Sequence, residues 1–360
     1  MLSFKLEARP EASRTMSYLS PLIAVVLTVL GGLLLFSVLG KDPLEGFQVF
    51  FLNPVRSWYG VSELLLKAVP LMLIAVGLAI GFRANVWNIG AEGQFILGAC
   101  AATGVALALA EQSGPLVLLA MIVAGALGGA AWAAIPAFLR TRFNANEILV
   151  SLMLVYVAQL LVSWLVFGPW MDPDGFNFPQ SKMFSDSALL PLLVEGTRLN
   201  LAFVMALGVL VVGYVFMHRS FLGFKMRVAG EAADAARYAG FSAKRMVWIG
   251  LLVGGACAGL AGMAEVAGPM GQLTDKVASG YGFAAIIVAF VGRLNPLGIF
   301  FASLLMALLF LGGEQAQLYM SLPASISKVF QGMLLFFLLG SDLFINYRLR
   351  MRRTLTKAGA

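Results

Sequence analysis

The sequence predicts an all-α, polytopic transmembrane helical bundle of about ten spans, and three observations carry that expectation. Of 360 residues, 60% are hydrophobic and only 12% charged, with a mean hydropathy of +0.88; a soluble domain carries about 25% charged residues. Apolar runs of about 20 residues, the length needed to cross ~30 Å of hydrocarbon, recur along the chain. Basic residues gather in alternate connecting segments, the pattern that sets membrane orientation.

Taken in order, the spans are expected at 21–40, 61–81, 89–110, 115–139, 148–168, 199–217, 246–267, 296–313 and 325–345. The stretch 280–292, opened by Gly280 and Gly282, is too short to cross comfortably; it reads as a half-helix or a span completed by its flanks, and brings the crossings to ten. With the N-terminus in the cytoplasm, the outer side keeps seven of the 25 basic residues, Lys41, Arg56, Lys67, Lys182, Arg198, Lys276 and Lys328, and the inner side holds 18. Nine spans would leave one basic terminus outside.

Residues 1–20 form a basic cytoplasmic segment with no small-residue cleavage site after a short apolar core, so the first span is an uncleaved anchor. Residues 21–345 make the membrane domain and 346–360 a basic cytoplasmic tail. Two connections are long. The outer loop, 169–198, holds four prolines and has the length of a functional or partner-facing loop. The inner loop, 218–245, is charged and amphipathic, and its segment 230–240 predicts a helix of two to three turns ending at Gly240. Asp234 near its start and Arg237 near its end suit the helix dipole. Such a helix is either a solvated loop helix or a rigid peg, with Ala235 and Ala236 allowing close approach and Tyr238 alongside, that docks into a cytosolic subunit.

Several chemistries are excluded. Cys100 and Cys257 sit in apolar runs without metal-ligand spacing, so neither a metal nor redox chemistry is implied. The net charge of +7 lies beside the spans, where it sets topology, and gives no reason to expect nucleic acid. The single histidine, His218, reads as a surface group and argues against a histidine-based proton pump. No Gly-x-x-x-x-Gly-Lys-Ser/Thr pattern occurs, so the chain does not hydrolyse ATP itself.

The polar residues that remain carry the functional argument. Asn85, Asn88, Glu92 and Gln94 fall between two long apolar runs, where an amide or carboxylate costs several kcal/mol unless it faces water or a partner. They line either a substrate pathway or an interhelical hydrogen-bond network. Tyr281 and Phe283, an aromatic pair on the interrupted segment at Gly280, belong to the same candidate pathway, since broken helices in corresponding halves mark a transporter's midplane site. Gly90 and Gly93 interrupt the first half as Gly280 and Gly282 interrupt the second, a weak internal repeat of about 190 residues. Asn144, Asn146 and Glu147 read as a helix start, with one Asn as N-cap, which is compatible with a cytoplasmic gate. Glu265 is the other intramembrane carboxylate of note, and Asp342 is expected to pair with Arg348 or Arg350.

The ordered pieces at 85–94, 143–154, 235–240, 279–283 and 292–298 resemble the membrane subunits of bacterial ABC importers of the branched-chain amino acid, ribose and simple-sugar permease group. The similarity runs over about 61–340 and is nearest the nucleoside-uptake branch. It implies a multi-pass permease of the bacterial inner membrane, both termini cytoplasmic, paired with a second permease that is a different paralogue. It further implies an ABC ATPase subunit that uses the ATP, an extracytoplasmic substrate-binding protein, surrounding membrane lipid, and no cofactor on this chain. Asp234, Ala235, Ala236, Arg237, Tyr238 and Gly240 would couple to the ATPase. The family often has Asn-Pro just before the Ala-Ala-Arg of this helix, where the chain has Ala232-Ala233, so the peg begins earlier or is less sharply capped. The substrate implied is a nucleoside or purine-like molecule; the alternatives are a simple sugar or branched-chain amino acid and, from a different class, a secondary transporter or channel.

Overall fold

The computed structural model describes residues 2–9, 11 and 13–353; residues 354–360 of the expected tail and residues 1, 10 and 12 of the N-terminal segment lie outside these. The helices in chain order are α1 (Arg14–Val38), α2 (Pro43–Phe47), α3 (Trp58–Arg83), α4 (Ala91–Ala108), α5 (Pro115–Phe143), α6 (Glu147–Phe167) and α7 (Ala202–Arg219). There follow α8 (Phe221–Glu231), α9 (Ala233–Tyr238), α10 (Ala243–Glu265), α11 (Tyr281–Val291), α12 (Pro296–Met320) and α13 (Ile326–Asn346), and α10 continues as a π-helical turn to Met270. Among the described residues nine helices are long and apolar enough to cross a membrane. Two strands, β1 (Leu2–Ala8) and β2 (Tyr347–Arg353), complete the set.

The chain divides into two compact units. The first, Met1–Pro54 with Leu309–Ala360, contains a feature absent from an all-α expectation: β1 and β2 pair antiparallel, Leu2 opposite Arg353 and Ala8 opposite Tyr347. Both strands alternate apolar and polar residues with period two, the pattern of a half-buried strand. The register sets Glu7 opposite Arg348, and their side chains form an ion pair at 3.1 Å. Of the two partners expected for Asp342, Arg348 is thus engaged by Glu7, and the side chain of Arg350 lies outside the described residues; the Asp342 carboxylate accepts a hydrogen bond from Ser20 Oγ on α1. The interior of this unit is a phenylalanine cluster, with Phe50 stacked on Phe330 at 4.1 Å and Phe36 at 5.8 Å from Phe330. In hydrocarbon such contacts act through close packing, since lipid tails are as apolar as the rings themselves.

The second unit, Val55–Leu308, is built around α10, which packs on α3, α4 and α5. Small residues bring these backbones together. Gly255 and Gly259 of α10 face Gly125 and Gly129 of α5, and Gly98 of α4 meets Gly259 from another side. A Cβ at Gly259 would lie 2.1 Å from the Gly125 carbonyl oxygen, so only glycine fits. This is the small-xxx-small packing by which membrane helices associate.

Two expectations of local structure need correction or refinement. The segment 280–292 is a half-helix: α11 has 11 residues, about 16 Å at 1.5 Å per residue. The inner helix expected over 230–240 is broken. Ala232 leaves helical geometry (φ −145°, ψ 76°), α9 has only six residues, and no side chain caps its start. The cause is tertiary: Gly230 presses on Arg83, where a Cβ would stand 2.1 Å from the Arg83 carbonyl oxygen, which fixes the end of α8 against the end of α3. That contact overrides the helix-forming preference of the alanines.

Candidate translocation site

Between α3 and α4 the backbone leaves helical geometry, with Asn85 in the left-handed region (φ 55°) and its side-chain oxygen accepting from Trp87 Nε1 at 2.8 Å. Trp87 packs against Phe82 and Phe290. Asn88 and Gln94, both buried, exchange two hydrogen bonds: Asn88 Nδ2 donates to Gln94 Oε1 at 2.7 Å, and Gln94 Nε2 donates to Asn88 Oδ1 at 3.0 Å. Their spacing is not a helical one, and the break at Gly90 is what lets the two amides meet.

Glu92, in the first turn of α4 and 1% exposed, reaches the N-terminus of α11. The Gly280 N–H donates to Glu92 Oε1 at 2.7 Å and the Gly282 N–H to Oε2 at 2.5 Å. A helix start leaves its first N–H groups without intrahelical partners and carries partial positive charge, so a carboxylate brought from a neighbouring helix satisfies both needs. Gly282 makes this approach possible, since a Cβ there would stand 2.2 Å from the Glu92 nitrogen.

Tyr281 follows directly. It is buried, meets Phe95 edge-on at 6.0 Å between ring centres, and lines a small cavity of 160 Å³ with Glu63, Lys67, Arg198 and Glu265. Arg198 forks onto Glu63, its Nε donating to Oε1 at 2.9 Å and its Nη2 to Oε2. Those hydrogen bonds hold the Arg198 guanidinium above its already high range, so it is charged at every physiological pH. Glu63, Lys67 and Arg198 were not legible as site residues. The signal available was the pair Glu63 and Lys67, four apart inside an apolar span. Phe283 lies elsewhere. Two residues on from Tyr281 is more than half a helical turn, so the rings do not face one point, and Phe283 is 39% exposed.

The caps between α5 and α6 are resolved individually. Asn144 is the left-handed C-cap of α5 (φ 54°), Asn146 is the N-cap of α6 and accepts from Ile148 N at 2.9 Å, and Glu147 pairs with Arg140. One turn on, Ser151 packs on Gly90.

At the far end of α3, 20 residues from Glu63 and so about 30 Å along the axis, stands the short helix α9. Ala236 anchors it, Asp234, Ala235 and Arg237 are exposed, Tyr238 is 97% exposed, and Gly240 ends it in the left-handed region (φ 78°). Behind it, α8 abuts Arg83, whose Nη2 donates to the Leu294 carbonyl at 2.8 Å just beyond α11. Contacts thus run without interruption from α9 through α8 and Arg83 to α11, and from α11 to Glu92.

A multi-pass bundle with a half-helix started on a neighbouring helix's carboxylate, a polar cavity at one end of α3 and a short exposed helix at the other has the features of a membrane transport subunit. The chain belongs to the family of permease components of branched-chain amino acid transport systems, whose model matches residues 60–339. It is 36% identical over 357 residues to a glucose ABC transporter permease protein of Haloferax volcanii, covering 96% of this chain and 93% of that one. It is also 29% identical to a nucleoside ABC transporter permease protein of Lactococcus lactis, with 91% and 92% covered, and 29% identical to a guanosine ABC transporter permease protein of Bacillus subtilis, with 90% and 93% covered. No solved structure matches the chain. Membership sets the secondary-transporter and channel reading aside, and as a permease component the chain is not itself an enzyme.

Proposed function

We propose that this permease carries a nucleoside or purine-like molecule into the cell as one half of a translocation pore. The observation that carries the reading is the half-helix α11, which sets Tyr281 beside Glu63, Lys67, Arg198 and Glu265. Carboxylates and cations around a small cavity suit the hydroxyls of a ribose ring, and an adjacent phenol supplies an apolar face for the rest of the solute. Asn85, Asn88, Glu92, Gln94 and Phe283 complete the proposed pathway, some by shaping it rather than by touching cargo. A simple sugar is the second reading, favoured by the same polar groups and by the glucose permease relative.

A separate ATPase subunit supplies the energy by docking on Asp234 to Gly240, and its closure drives α8 and α11. Asn144, Asn146 and Glu147 serve as the hinge of a gate. The second permease is a different paralogue, as supported by two permease relatives in each of Lactococcus lactis and Bacillus subtilis. An extracytoplasmic binding protein delivers the substrate. The chain lies in the bacterial inner membrane with both termini cytoplasmic; pairing of β1 with β2 supports an even number of crossings, with α11 and the irregular segment before it as the tenth.

The test is ATP-dependent uptake of radiolabelled nucleosides, ribose, glucose and branched-chain amino acids by cells with and without the chain. Selective loss of nucleoside uptake supports the proposal. Loss of sugar or amino acid uptake alone refutes the substrate while leaving the permease role.

A further inference from the structure

A second polar cavity, of 510 Å³, opens where α3, α8 and the turn after α11 meet, and Arg83, Arg227 and Arg293 line it together with the single carboxylate of Glu231. Arg227 and Glu231 lie one turn apart on α8, close enough to compensate each other. Three guanidinium groups and one carboxylate therefore share one partly enclosed space. Arg83 is held in place through Nη2 on the Leu294 carbonyl, while its Nη1 is buried with no hydrogen-bond partner among the described residues. A buried donor without an acceptor is destabilising, as are like charges converging out of bulk water. Both conditions are relieved by one ligand type, a multivalent oxyanion, and the planar fork of arginine matches phosphate oxygens in particular.

We propose that this cavity binds a phosphate group through Arg83, Arg227 and Arg293. The group comes either from an anionic phospholipid headgroup, drawn to basic residues at the membrane boundary, or from a soluble phosphate. Because its walls belong to α3, α8 and the end of α11, a bound phosphate ties the peg-bearing loop to the half-helix and stiffens the link between them.

The experiment measures thermal unfolding of the full chain in phosphatidylcholine nanodiscs. One arm adds inorganic phosphate against chloride at matched ionic strength, and the other replaces part of the lipid by phosphatidylglycerol. The expected result is a rise of several degrees in one arm, as for any ligand that binds only the folded state. That rise falls by at least half in the double variant Arg227→Gln with Arg293→Gln and persists in Arg142→Gln, an exposed arginine away from the cavity. A rise with inorganic phosphate identifies a soluble ligand; a rise with phosphatidylglycerol alone identifies a lipid headgroup. No rise in either arm, or an equal rise in the double variant, overturns the proposal. Should the double variant fail to fold, binding of radiolabelled phosphate and of phosphatidylglycerol to the wild-type chain decides it, and absence of both overturns it.

Discussion

Replacing Glu92 by alanine tests the central claim about the half-helix. The carboxylate accepts from the Gly280 N–H at 2.7 Å and the Gly282 N–H at 2.5 Å, and both would lose their acceptor. A buried donor left unsatisfied costs about 1–3 kcal/mol, so the pair amounts to about 2–6 kcal/mol, more where no water can reach. Glu92→Gln keeps one acceptor oxygen and is expected to lose roughly half of that. The assay is equilibrium unfolding in mixed micelles, followed by helicity, with uptake measured in parallel. The order of stability should be wild type, then Gln, then Ala, with uptake lost in Ala. An Ala variant within about 0.5 kcal/mol of wild type, the range of an unremarkable surface change, would refute the assignment of Glu92 as the cap of α11.

Gly259→Ala should sharply reduce the yield of monodisperse protein on size exclusion, because its methyl would collide with the Gly125 carbonyl 2.1 Å away. A double-mutant cycle of Asn88→Leu and Gln94→Leu should return a coupling of about 0.6–2 kcal/mol in unfolding experiments, and additive effects would mean the reciprocal amide pair contributes nothing. Arg237→Glu is expected to leave folding intact while separating ATP hydrolysis from uptake in the assembled transporter; wild-type uptake there would remove α9 from the coupling role. The guanidinium of Arg198 is held above its ordinary value by Glu63, so any stability it adds is fully present across the neutral range and, on the alkaline side, is lost only in strong alkali. The uptake defect of Arg198→Gln should accordingly be flat across neutral pH.

What could be read in advance follows from range along the chain. The spans were legible because crossing hydrocarbon imposes a length and composition on each segment by itself. The half-helix was legible for the same reason, as 280–292 is apolar yet too short. Asn146 and Glu147 gave themselves away through the local chemistry of a helix start. The terminal ribbon was written as alternation in both ends, but the partners are over 330 residues apart and each alone is only seven long. The cavity beside Tyr281 draws on α3, the loop before α7 and α10, and no single window contains it. The break at Ala232 was missed because alanine favours helix and only the contact of Gly230 with Arg83 decides otherwise.

The ribbon of β1 and β2 also bears on the order in which the first unit can close. The strand made first has an open edge until its partner, which begins only at Tyr347, has been made. Any copy ending earlier keeps an unpaired strand edge, a ready template for aggregation and a handle for proteolysis. Closure of the ribbon therefore waits on more than 330 intervening residues, and the first strand stays open until they have been made.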